Sequence, residues 1–152
     1  MAKKKRSMYN VDTTKKGKAK RTYNGEVFDS LTELYFLKEW ILPKMESGDI
    51  IRYERQIPFI LQEEFIRNNK KILPIKYICD YIVYWKDGSR TVIDVKGLPD
   101  QVSKLKRKIY WKRYPDEEYI WMCRNIKRGG WLLYEDLEKM KREEKKAKAT
   151  KQ

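Results

Sequence analysis

A chain of 152 residues with 41% hydrophobic side chains is long enough for one domain with a sizeable core, and no apolar run approaches the ~18 to 20 residues that span a bilayer. Its 36 Lys and Arg against 22 Asp and Glu leave a formal charge of +14, which with 13% aromatics points to a polyanion, nucleic acid ahead of an anionic membrane. The lack of any histidine excludes His-ligated nuclease metals, His-based triads and imidazole acid–base chemistry, so catalysis must rest on carboxylates, lysine, a metal or a hydroxyl.

Residues 1–22 are rich in Lys and Arg and nearly free of apolar side chains. Such a segment cannot bury enough surface to offset its ordering entropy, so a disordered basic arm is expected. Lys15, Lys16, Lys18 and Lys20 would then contact phosphates without sequence preference, or simply keep the chain soluble. No apolar leader follows the first lysines, and a cytosolic location is expected.

Residues 23–28 read as a turn or short strand before a helix capped by Asp29 or Ser30. Leu31, Leu34, Phe36, Leu37, Trp40 and Ile41 give that helix an apolar face up to Pro43. Glu33 stands three residues after Ser30, which is the spacing of a capping box. Residues 50–62 form the first long strand, and Pro58 within it argues for an edge or a bulge. The charged stretch 63–71 is expected to be a loop at a hairpin end.

Two β-branched and aromatic runs follow, 77–85 and 89–96, joined by Lys86-Asp87-Gly88. A three-residue loop with Gly88 left-handed sets Trp85 opposite Ser89, hence Ile82 opposite Val92 and Asp80 opposite Asp94. Alternation then puts Lys96 on the face of Asp94, so two carboxylates and one amine converge. The turn chemistry also permits a two-residue Asp87-Gly88 loop, which would send the aspartates to opposite faces. Aspartates facing each other across strands repel, and a hard divalent cation such as Mg²⁺ would compensate them. Lys96 could alternatively be no more than their salt-bridge partner.

Gly97-Leu98-Pro99-Asp100 ends the strand and opens a helix over 101–113, with Val102, Leu105 and Ile109 as the apolar stripe. Lys104, Lys106, Arg107, Lys108 and Lys112 make the rest basic, either a solvated face or a cradle for a phosphate backbone. Residues 118–124 read as a buried strand, 127–130 as a basic turn, and 133–146 as a helix with Leu137 and Met140 inward. Cys79 and Cys123 lack zinc spacing and are expected to be buried free thiols. The order α-β-β-β-α-β-α describes an α/β (α+β) domain: a meander of three strands, then a crossover helix returning the fourth parallel to the third. The expected division is the arm 1–22, one domain over 23–135, and a C-terminal helix with basic tail over 136–152.

A helix carrying Glu, a strand carrying Asp, then Asp-x-Lys after a hairpin, a helix and a strand resembles the PD-(D/E)XK nuclease superfamily. More narrowly, Phe28-Asp-Ser-x-x-Glu33, Gln56-x-Pro58, Tyr77-x-x-Asp80 and Asp94-Val-Lys-Gly97 resemble small phage- and prophage-associated endonucleases related in arrangement to Holliday-junction resolvases. The resemblance covers residues 23 to about 123, with Cys79 standing where the superfamily name has Pro. It implies a restriction-endonuclease-like αβββαβ core, a four-stranded mixed sheet flanked by helices. It further implies Asp80, Asp94 and the Val95 carbonyl on Mg²⁺ (Mn²⁺ as a substitute), with Glu33 leaning in directly or through a water. Lys96 would position the attacking water and offset transition-state charge, and Gln56 would line the site. The activity implied is a Mg²⁺-dependent endonuclease on branched or duplex DNA. It would need no small-molecule cofactor, would act as a homodimer because a symmetric junction needs two cuts, and would work in the bacterial host cytosol if phage-encoded. A non-catalytic basic nucleic-acid-binding protein and an RNA-directed nuclease with the same site are the alternatives.

Overall fold

Loop chemistry sets the centre of the fold. In the computed structural model, which describes Ser7 and residues 10–151, β6 (Ile75–Trp85) and β7 (Arg90–Val95) pair through Tyr84↔Arg90, Val83↔Thr91, Ile82↔Val92 and Tyr81↔Ile93. The Trp85 amide donates to the Ser89 carbonyl (2.9 Å), the Gly88 amide to the Trp85 carbonyl (3.0 Å), and Gly88 is left-handed at φ 87°. This is the three-residue loop and the register it dictates.

The chain before it begins with α1 (Lys15–Lys20), then a small hairpin, β1 (Thr22–Tyr23) and β2 (Glu26–Val27), turned by left-handed Asn24 and Gly25. A continuous helix follows, α2 (Leu31–Phe36), a π-helical turn (Leu37–Ile41) and α3 (Leu42–Glu46). Pro43 was expected to end it but does not. The wider π turn just upstream, closed by the Leu42 amide on the Leu37 carbonyl, removes the i−4 bond that proline cannot make.

Strand β3 (Ile50–Gln62) pairs antiparallel with β6 and lies at the sheet edge, which accounts for Pro58. The stretch expected as loop carries a short hairpin, β4 (Phe65–Arg67) and β5 (Lys70–Ile72), turned by left-handed Asn68 and Asn69. Helix α4 (Gln101–Arg113) carries the crossover and returns β8 (Glu118–Asn125) parallel to β7. After a 3₁₀ turn (Ile126–Arg128), β9 (Gly130–Leu133) pairs with β8 and α5 (Tyr134–Thr150) closes the chain. The sheet therefore has five strands, in the order β3-β6-β7-β8-β9, not the expected four; the basic turn is shorter than the sequence implied and frees residues 130–133 to pair.

The sheet has a core on each face. Phe36, Leu37 and Ile41 pack on Tyr81, Val83 and Ile93 on one side; Tyr110 packs on Tyr77, Tyr119 and Trp121 on the other. Both expected free thiols, Cys79 and Cys123, are buried. No helix among the described residues is long and apolar enough to cross a membrane.

Three expectations need correction. Residues 10–21 of the arm are structured: Thr14 caps α1 by accepting from the Gly17 amide (3.1 Å), and Arg21 is buried, its guanidinium donating to the carbonyls of Phe28 and Asp12. Three backbone carbonyls accept from its two terminal nitrogens, a charge that composition counted as solvated, and Nε is buried without a hydrogen bond; residues 1–6 and 8–9 of the arm lie outside the described residues. Val102 and Leu105 are each 59% exposed, and of the expected stripe Ile109 packs on the core, beside Tyr110 and the guanidinium of Arg107 over Trp121. Met140 is likewise exposed, leaving Leu137 to anchor α5, which runs to Thr150 rather than 146.

Candidate functional site

Strands β6 and β7 part after Tyr81↔Ile93, and Asp80 lies where they diverge. Its Oδ2 accepts from the Val95 amide (2.7 Å), replacing the lost ladder bond with a side-chain one. Asp94 is 3% exposed, and its Oδ2 is ion-paired with the Lys96 ammonium while lacking any hydrogen bond of good geometry. Lys96 in turn sits over the Trp121 ring, 5.4 Å from its centroid. The aspartates and the lysine therefore meet as the hairpin register requires.

Glu33 reaches the same place from α2. Ser30 caps that helix by accepting from the Glu33 amide (3.1 Å), and its hydroxyl donates to Glu33 Oε1 (3.2 Å). A capping box would send the carboxylate to the Ser30 amide, and no such bond occurs among the described residues. Glu33 Oε2 is instead buried without a partner, in a residue only 8% exposed. The Tyr81 hydroxyl donates to the Glu33 carbonyl (2.7 Å), pinning α2 to the strand that carries Asp80.

Electrostatics confirm that these carboxylates sense one another. Burial first, then the charge of Asp29, pushes the Glu33 carboxyl up to about 7 from an ordinary 4.5, with Asp94 adding to the rise and Arg55 opposing it. Burial, then the charges of Asp94 and Glu33 and a carboxyl–carboxyl hydrogen bond to Asp94, hold Asp80 well above the usual carboxylate range.

Gln56 lies across from Asp80, between the pairs Arg55↔Tyr81 and Ile57↔Cys79, and its backbone is left-handed at φ 53°. A non-glycine residue in that conformation in mid-strand is strained. Its effect is visible in the packing. Tyr53 and Ile57 are four residues apart and should share a face, yet they join opposite cores; Tyr81 and Cys79 do the same on the partner strand. Both strands switch faces at the Gln56/Asp80 step, which turns the Asp80 side chain into the cleft. The Gln56 amide Nε2 is buried without a partner.

A cleft of about 1160 Å³ collects Glu33, Gln56, Asp80, Asp94, Val95 and Lys96. One wall is Lys76, Ser103 and Lys106 of β6 and α4, with the Lys106 ammonium donating to the Lys76 carbonyl (2.9 Å). Another is Ser7, Val11, Thr13 and Arg21, so the N-terminal segment helps to form the site. Nothing in the composition of that segment signalled it; only the position of Arg21 before the Phe28-Asp29 turn could have. The expected phosphate contacts divide. Lys15, Lys16, Lys18, Lys20, Lys108 and Lys112 are exposed, and Lys104 and Lys106 are partly covered. Arg107 turns inward, its guanidinium 3.7 Å from the Trp121 ring centroid and paired with Glu135 (2.6 Å).

Among the described residues no three Asp, Glu, His or Cys side chains are set as a ready metal cluster. Lys96 holds one Asp94 oxygen and the Val95 amide one of Asp80's. The remaining donors nonetheless fit a hard divalent ion, which takes carboxylate oxygens and keeps waters: Glu33 Oε2 is buried without a hydrogen bond, and among the described residues no ion pair offsets the Asp80 carboxyl.

A family model described as Protein of unknown function (DUF1064) matches residues 13–130. The chain belongs to the DUF1064 family. Its matched region begins just before α1 and ends at the start of β9, so the DUF1064 unit includes Arg21 with every cleft carboxylate. No curated protein matches the chain.

Proposed function

We propose that this protein is a divalent-metal-dependent endonuclease that hydrolyses DNA phosphodiester bonds, selecting branched structure over sequence. The observation that carries the reading is the convergence of Asp80, Asp94 and Glu33, with Lys96 beside them, in one cleft of a chain whose net charge is +14. Packing alone does not call for three carboxylates where two are lifted by burial and by neighbouring carboxylates. The restriction-endonuclease-like core is part of the same proposal: the helix, three-strand meander, crossover helix and parallel strand occur in the order that superfamily uses.

Asp80 and Asp94 would hold Mg²⁺ or Mn²⁺, with the Val95 carbonyl as a further oxygen at the cleft wall and Glu33 reaching the ion through a water. When bound, the ion supplies Lewis-acid charge to the phosphoryl group and a more acidic water. Lys96, kept in place by Asp94 and the Trp121 ring, offers its ammonium to the charge that develops on the phosphoryl oxygens. Glu33, near neutrality, can take the proton of the attacking water as the P–O bond to the leaving strand breaks. The unpartnered Gln56 amide can donate to a non-bridging oxygen. Exposed Lys15, Lys16, Lys18, Lys20, Lys108 and Lys112, with Lys104 and Lys106, would grip the phosphate backbone, and two copies would make the paired cuts a junction needs.

The Lys96–Asp94 pair favours a second reading, a basic nucleic-acid binder whose acidic cluster is structural. Incubating four-way, flap, duplex and single-stranded DNA and RNA with Mg²⁺ or EDTA separates the two. Metal-dependent nicking of branched DNA that falls by at least about 10³-fold in Asp94→Ala supports the nuclease. Binding without cleavage in any metal supports the binder, and preferential cutting of RNA moves the substrate but keeps the site.

A further inference from the structure

The cleft does not stop at Lys96. Thr32, Lys96 and Gly97 also line a second hollow of about 530 Å³ on the far side of the lysine. Its floor is apolar, made by Leu137 of α5 and the buried Cys123 of β8, while Arg124, Lys127 and Lys141 supply cations to its rim. No Asp or Glu lines it, in a chain that carries 22 of them.

Its cations are of two kinds. The Arg124 guanidinium is committed: it donates to both oxygens of Glu39 (2.6 and 3.0 Å) and lies 4.6 Å from the Tyr35 ring centroid, a fixed wall. Lys127, on the 3₁₀ turn, makes no ion pair among the described residues, and Lys141 reaches only Glu138 of its own helix, at 3.3 Å. One ammonium without an ion pair and one held only by an exposed partner on its own helix, over an apolar floor and opening into a cleft across a shared lysine, suit one repeating ligand: a sugar–phosphate whose sugar rests on Leu137 and whose phosphate faces the rim.

We propose that this hollow seats the phosphodiester next to the one being cut, on the same strand of a polynucleotide. Lys96 then stands between two consecutive phosphates, and α5 and the 3₁₀ turn, not α4 alone, hold the substrate strand. The proposal rests on the nuclease reading of the adjoining cleft.

The test uses the full chain with Asp94→Asn, so that binding is read without cleavage, and compares Lys127→Ala/Lys141→Ala with Lys145→Ala/Lys148→Ala. The second pair removes equal charge from the exposed end of α5. Affinity for a branched DNA is measured against salt in EDTA. The hollow pair is expected to weaken binding about tenfold at 0.15 M salt and to reduce the slope of log K against log salt by about 1 to 2, while the distal pair changes affinity less than about threefold. Where Asp94 is intact, a methylphosphonate next to the scissile phosphate should slow cleavage by the wild type and add nothing to the Lys127→Ala/Lys141→Ala defect. Equal effects of the two pairs, or a hollow that takes inorganic phosphate while the DNA slope is unchanged, would overturn it. If instead the wild type cuts nothing in any metal, the nuclease reading fails, and the salt slopes still report the hollow separately.

Discussion

At Glu33 and Asp80 the fold keeps carboxyls where their charged forms are disfavoured, and the sign of the consequence can be worked out. A carboxyl whose folded-state value is about 7 against 4.5 unfolded binds more protons in the folded state, so it costs stability above pH 7 and the cost fades as pH falls towards 4.5. Glu33→Gln should therefore raise the thermal midpoint of the metal-free protein at pH 8, with the gain shrinking between pH 7 and 4.5, and cut cleavage by about 10²-fold or more. Paired melting curves in EDTA across that range check it; a variant less stable than the wild type at pH 8 would mean that Glu33 is a structural cap. Gln56 carries a second local cost. Gln56→Gly removes both the left-handed strain and the unpartnered amide, and should stabilise the protein by about 1 kcal/mol in urea unfolding while lowering activity. Destabilisation would show that the Gln56 side chain is what holds the strand switch.

At the level of elements, the hairpin was the most legible part of the chain: Lys86-Asp87-Gly88 allowed two loops, and the three-residue one that forms sets which residues face each other. That register set Asp94 and Lys96 on one face with Asp80 across from them, while Glu33 was drawn to the same place by the family resemblance rather than by its spacing from Ser30. The strand switch at Gln56 was not legible, since glutamine has no preference for the left-handed region and the conformation is imposed by the two cores it separates. Composition also misread Arg21 and Arg107. One is held by carbonyls and the other by aromatic faces and Glu135, partners that arrive from distant segments. The N-terminal wall depends on the first of them. Arg21→Ala should lower stability by about 2 kcal/mol and expose Lys15–Lys20 to trypsin under conditions where the sheet resists it. Unchanged tryptic cleavage there would mean that the wall stands without the arginine.

Over the whole molecule, two features have to be reconciled: a net charge of +14 and a cleft whose centre is acidic. Exposed lysines on α1 and α4 attract a polyanion from all sides, but a phosphate cannot approach Asp80, Asp94 and Glu33 until their charge is offset. Lys96 offsets part of it, and a divalent cation would offset the rest, which makes cation capture the step that admits the phosphate. Titration of Mn²⁺ into the protein, followed by electron paramagnetic resonance at pH 7.5, measures it directly. Saturable binding accompanied by proton release is expected, both lost in Asp80→Asn, which keeps the side-chain shape and an acceptor for the Val95 amide. Binding that is absent from the wild type, or equal in the two proteins, would contradict it.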